Sequence, residues 1–87
     1  MKKTLDKIAK IAIRTRSNYD DTDDAKFATI KKWEKNGKCR AYINDYKGRT
    51  IGYIDRADKS YTQINNQGLT KDEINGLLED FANEYEF

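Results

Sequence analysis

The dipeptide Asn36-Gly37 stands between two runs in which apolar and polar residues alternate. Both of its positions tolerate positive φ, and a two-residue turn of that kind matches the twist of antiparallel strands. A two-residue loop there fixes a register. It places Lys35 opposite Lys38, Trp33 opposite Arg40, Lys31 opposite Tyr42 and Ile30 opposite Ile43. Lys47-Gly48 is a second, weaker turn signal. A two-residue loop there sets Tyr42 opposite Tyr53 and Ala41 opposite Ile54. Phe27 to about Ile54 therefore reads as three antiparallel strands, because every connection between them is short.

The alternation divides these strands into two faces. One carries Ala28, Ile30, Cys39, Ala41, Ile43, Gly52 and Ile54. The other carries Phe27, Lys31, Trp33, Arg40, Tyr42, Tyr46, Arg49, Ile51 and Tyr53. The first is small and smooth, which suits helices lying across it. The second would then stay open, with aromatic rings interleaved among cations. The opposing arrangement buries Trp33, Tyr42 and Tyr53 as core, since large rings usually lose most of their exposed area. An odd-numbered loop at Gly48 would exchange the faces of the third strand.

Helices are expected at both ends. Thr70 can cap a C-terminal helix, with Glu73 closing a capping box and Leu69 and Ile74 forming a hydrophobic staple. Ile74, Leu77, Leu78, Phe81 and Tyr85 then fall on one stripe as the chain runs to Phe87. Thr4 could cap a first helix reaching about Arg16, with Leu5, Ile8, Ala9 and Ala12 at helical spacing and Ile11 beside them. Ser17 to Asp24 reads as a polar loop holding Asp20, Asp21, Asp23 and Asp24. It lacks the glycine and distal glutamate of a calcium-binding EF-hand loop. Tyr61–Ile64 is either a short fourth strand or loop. The expected fold is a single α+β domain over residues 1–87: an N-terminal helix, a three-stranded antiparallel sheet (four-stranded with Tyr61–Ile64) and a C-terminal helix, both helices on one face.

The residue inventory narrows the chemistry. With 87 residues the chain supports one small core. It contains no His, which removes Ser-His-Asp and Cys-His catalysis and most zinc and haem sites. Its one cysteine, Cys39, excludes an internal disulfide and suits a reducing cytoplasm. Cys39 is expected to be a small buried apolar residue. Glycine-rich phosphate loops are absent, as are long apolar runs that would span a membrane or form a signal peptide. Nothing sets Asp55 and Asp58 against a pocket for acid–base work. We expect no enzyme, no cofactor and no metal.

Binding remains, and the charge is segregated for it. Residues 26–60 hold ten Lys or Arg against four Asp or Glu, a balance of +6 within a total of +2. Residues 61–87 hold one against six, a balance of −5. Segregation of this kind steers partners. Two candidate surfaces follow. The sheet face would use Lys31, Trp33, Arg40, Tyr42, Arg49 and Tyr53, either to pair rings with cations or to stack bases and grip phosphates. The final helix would use Asp72, Glu73, Glu79, Asp80 and Glu84 as a phosphate-mimicking stripe against a basic groove. The aromatic end, Phe81, Tyr85 and Phe87, would close the core or a dimer seam.

Two resemblances bear on these surfaces. The stretch Trp33-Glu34-Lys35-Asn36-Gly37-Lys38-Cys39-Arg40-Ala41, then Asp45-Tyr46-Lys47-Gly48-Arg49 and Thr70-Lys71-Asp72-Glu73, resembles the arm-type DNA-binding domains of tyrosine integrases. That likeness covers about half the chain. It implies a three-stranded sheet in the major groove, with Trp33, Arg40, Tyr42 and Arg49 facing DNA. The extra N-terminal helix, the Ala57–Gly68 insertion and the acidic final helix depart from that family. The element order also looks like a double-stranded-RNA-binding domain, but Asp72 and Glu73 follow Lys71 where that family is basic. In size, lone-domain architecture, charge asymmetry and lack of catalytic groups, the chain is similar to small phage- and plasmid-encoded inhibitors, anti-CRISPR proteins among them. That likeness implies a cytoplasmic protein of a mobile element that blocks a host protein, such as a defence or nucleic-acid-handling factor, by covering its working surface. The alternative is direct DNA or RNA binding through the sheet, against which stands a pI of 8.6, below the value of about 9 that marks nucleic-acid domains. A homodimer would also be compatible with these surfaces.

Overall fold

The computed structural model describes residues 2–13, 27–65 and 68–86. Along them run β1 (Lys3–Thr4), β2 (Ile8–Ala12), β3 (Phe27–Lys35), β4 (Lys38–Asn44), β5 (Thr50–Asp55), β6 (Tyr61–Gln63), α1 (Lys71–Glu84) and β7 (Tyr85–Glu86). Strands β2 to β6 form one antiparallel sheet in sequence order. The strands β1 and β7 pair in parallel and tie the two ends of the domain together, with the Leu5 amide donating to the Glu86 carbonyl at 2.8 Å.

The expected layout of two helices and three or four strands is overturned. Of the residues expected to form a helix from Thr4, Thr4 itself ends β1 and Ile8–Ala12 form β2, while the continuation from residue 14 to Arg16 and the acidic loop Ser17–Asp24 lie outside the described residues. The physical reason is visible in the burial. Ala9, Ile11 and Ile13 are buried while Ile8, Lys10 and Ala12 are exposed. That is a period of two, and it gives β-branched isoleucines a pleated surface to pack on. Ladder pairing with β3, from Ile8 opposite Lys31 to Ala12 opposite Phe27, completes it. Tyr61–Gln63 is a fifth strand of the sheet rather than loop.

The β3–β4 hairpin turns at Asn36 and Gly37, with φ of 53° and 75°, and its register is the one the sequence predicts. The β4–β5 connection is longer than expected. The Asp45 amide donates to the Arg49 carbonyl and the Gly48 amide to the Asp45 carbonyl, giving a three-residue loop with Gly48 at φ 82°. Asn44 therefore pairs with Thr50, and a bulge at Ile51 restores the pairing of Ile43 with Gly52 and Tyr42 with Tyr53. The faces are exchanged only between the loop and the bulge. Ile51, expected on the aromatic face, turns into the core and is fully buried.

One helix covers the smooth face. Thr70 caps it in a closed capping box: the Glu73 amide donates to Thr70 Oγ1 at 3.2 Å and the Thr70 amide to Glu73 Oε1 at 3.1 Å. Ile74, Leu77 and Phe81 press onto Ile11, Ile30, Ile43 and Ile51, and Leu69 joins them. The helix stops at Glu84, short of Phe87, because Tyr85 turns extended to pair with Lys3.

Where the sheet must be thin, residue 52 is glycine. A Cβ there would lie 2.5 Å from the Thr62 carbonyl oxygen and 2.6 Å from the Tyr61 hydroxyl oxygen. The Thr62 carbonyl belongs to the neighbouring strand and cannot swing aside. Gly52→Ala is expected to destabilise the domain by about 1–3 kcal/mol, read as a lower midpoint in urea unfolding at unchanged slope.

Candidate functional site

The face opposite α1 is uncovered among the described residues. Pairing across the strands sets Ile8, Lys31, Tyr42, Tyr53 and Thr62 in one row, and Trp33, Arg40 and Asp55 in the next. Lys10 and Phe27 lie on the same face, the Lys10 ammonium 4.6 Å from the Phe27 ring centroid. Ile8, Phe27 and Trp33 stand 58%, 38% and 37% exposed, so three large apolar side chains share one solvent-facing surface.

The rings brace one another. Trp33 meets Tyr42 edge-on at 6.1 Å, and Tyr42 meets Tyr53 at 5.3 Å with a 46° tilt. Arg40 sits among all three. Its guanidinium carbon lies 4.3 Å from the Tyr53 centroid and 5.9 Å from that of Trp33, and Nη1 donates to the Tyr42 hydroxyl at 3.2 Å. That hydrogen bond, first among the causes, raises the already high Arg40 pKa and keeps the group charged. Nε lies 3.6 Å from Asp55 Oδ2, an ion pair too long to be a hydrogen bond, so this buried N–H has no acceptor. Burying rings and a cation in mutual contact holds each in one rotamer, which makes the face pre-organised.

Among the described strand residues, the alternation sets Lys10, Lys31, Lys35, Lys38 and Arg40 on this side, against the carboxylate of Asp55. Lys32 and Glu34 point the other way and pair at 3.2 Å. Hydrogen bonding from Lys32, its largest cause, lowers the Glu34 pKa.

Five of the six sheet residues singled out in the sequence, Lys31, Trp33, Arg40, Tyr42 and Tyr53, are thus neighbours on one face. Arg49 is not with them. The three-residue loop puts it opposite Asp45, on the helix side. There its Nε donates to Asp45 Oδ2 at 3.0 Å, while the Arg49 and Lys47 amides donate to Oδ1 at 2.8 and 2.9 Å. The Asp45 side chain is fully buried, and the Arg49 guanidinium occupies the space where a side chain on Gly68 would go. Arg49 is a clasp between the β4–β5 loop and the lead-in to α1.

The acidic helix is less of a surface than its composition suggests. Glu73 is 8% exposed and spent in the capping box. Asp72 and Glu79, seven residues apart, share one side of α1, whereas Asp80 and Glu84 lie round on another. Asp80 is half-buried and already engaged. Sequence reasoning missed Ile8, Lys10 and Asp55. The period-two burial of residues 8–13 was the available signal for the first two. The register of Arg40 with Asp55 was the signal for the third.

Among the described residues no group of Cys, Asp and Glu is arranged to hold a metal ion, and no helix is long and apolar enough to cross a membrane. No family model, curated protein or solved structure matches the chain.

The two arginines should separate in experiment. Arg49→Ala is expected to lower stability by about 1 kcal/mol or more, because the buried Asp45 carboxylate loses a partner. Arg40→Ala should instead leave the urea midpoint nearly unchanged while red-shifting the Trp33 emission, as the loosened ring cluster admits water to the indole.

Proposed function

We propose that this chain is a non-enzymatic binding protein of a mobile element that inhibits a host protein by covering its working surface, and that the open sheet face makes the contact. One observation carries the reading: the only Trp, two Tyr and an Arg are locked together beside exposed Ile8 and Phe27, in a ring of lysines. Trp, Tyr and Arg anchors around a pre-organised apolar centre are the composition of protein-interface hot spots. The surrounding lysines favour a partner whose own patch is apolar at its centre and acidic at its rim.

Nucleic acid is the second reading, supported by the five cations set against one carboxylate among the described strand residues of this face. Its weakness is geometric. A stacking platform needs open ring faces, and here Arg40 lies over Tyr53 and Trp33 while Tyr42 is wedged between them. The inhibitory role rests on the class resemblance and on the segregated charge, and a nucleic-acid-handling factor is the target this role implies.

The test has two arms. The immobilised chain should capture a host protein, and adding the chain should reduce that protein's activity. Arg40→Ala combined with Lys31→Glu should weaken capture and inhibition about tenfold or more, whereas Glu79→Lys with Glu84→Lys should change both little. If the helix reversal abolishes capture and the sheet variant does not, the sheet-face reading is wrong. A mobility shift of duplex or single-stranded oligonucleotide that fades steeply with salt and is lost in the sheet variant would establish the second reading instead.

A further inference from the structure

The helix does not cover its face of the sheet evenly. Within the five-stranded sheet α1 approaches β2 most closely. The β5–β6 side is left under its trailing half, and a cleft of about 450 Å³ opens there. This volume falls in the range of about 300–1,000 Å³ typical of small-ligand sites. Its walls are apolar: Ile54 and Tyr61 from the sheet, Leu78, Phe81 and Tyr85 from the helix and its end. Phe81 and Tyr85 stack on each other at 5.9 Å, forming a continuous aromatic wall.

Charged residues also bear on what would enter. Lys2 and Lys59 line the cleft with Glu86, the one carboxylate among its described lining residues. Both lysines are exposed, and Lys59 is held at φ 56°, a left-handed conformation that a lysine adopts only under constraint from its turn. Asp58 imposes that turn by accepting from the Ser60 amide at 2.9 Å and the Ser60 hydroxyl at 2.6 Å. Within the wall, the Tyr61 hydroxyl is buried against Gly52 and has no hydrogen-bond partner. With no accessible surface, this hydroxyl is closed off from the cleft, and burial raises its pKa.

We propose that this cleft binds an aliphatic carboxylate, with its chain between Ile54, Tyr61 and Leu78 and its head group at Lys59 and Lys2. Two lysines against one carboxylate among the described lining residues favour an anionic head group, and the apolar lining favours a hydrocarbon chain behind it. The site lies on the helix side, away from the open face, so it stands or falls independently of the partner reading above.

Decanoate and decanol are the probes, followed by amide and side-chain shifts of the full chain in NMR titration. Decanoate should move the resonances of Ile54, Tyr61 and Leu78 saturably and more tightly than decanol. Lys59→Asn keeps a residue that tolerates the left-handed turn and removes the charge. It should weaken decanoate about threefold to tenfold without affecting decanol. Ala82→Trp, which adds a ring at the exposed lip of the cleft, should abolish both at an unchanged unfolding midpoint. The proposal is overturned if decanoate moves no cleft resonance at millimolar concentration. Equal binding of the two probes with no effect of Lys59→Asn also overturns it. So does a change of oligomeric state that accounts for the shifts, which would make the cleft a seam between two copies.

Discussion

One helix can lie across only one face of a five-stranded sheet. That limit organises the molecule. Ile74, Leu77 and Phe81 meet Ile11, Ile30, Ile43 and Ile51, and these side chains supply the core. Fully burying each is worth about 1.5–3 kcal/mol relative to exposure. The other face has no second helix among the described residues, so its side chains must be stable against water. Large rings there lose area by packing on one another and on Arg40 rather than on a covering layer. The open face is thus a direct product of one-sided burial, and its rigidity comes from those ring contacts.

The hairpins were legible because turn chemistry is local. Asn36-Gly37 fixed one register outright. The second register is instructive, since the pairing of Tyr42 with Tyr53 and Ala41 with Ile54 holds although the loop has three residues and not two. The bulge at Ile51 absorbs the extra residue. Between loop and bulge the faces are exchanged, which buries Ile51 and sends Arg49 to the helix side. A bulge has no strong sequence mark of its own. Its driving force is tertiary: an isoleucine finds the core, and its carbonyl accepts from the Ile64 and Asn65 amides.

The N-terminal segment was misread for a related reason. Leu5, Ile8, Ala9 and Ala12 fit a helical stripe, but Ala9, Ile11 and Ile13 fit a strand as well, and short apolar runs do not decide between the periods. Pairing with β3 and packing under α1 decide it. The same override brings Ile8 and Lys10 onto the open face, so the error in the fold was also an omission in the site. On the final helix the capping box was legible, yet composition overstated the acidic surface, because Glu73 serves the cap and the remaining carboxylates go round the helix.

One-sided burial requires Trp33 to face solvent amid cations. Because it is the only tryptophan, collisional quenching of its fluorescence reads that directly. Iodide should quench efficiently and clearly better than caesium, since Arg40 and the lysines around it concentrate the anion. Protection from both quenchers would mean a covered ring, and stronger quenching by caesium would mean an acidic surrounding. Either result would contradict the one-sided burial argued for this fold.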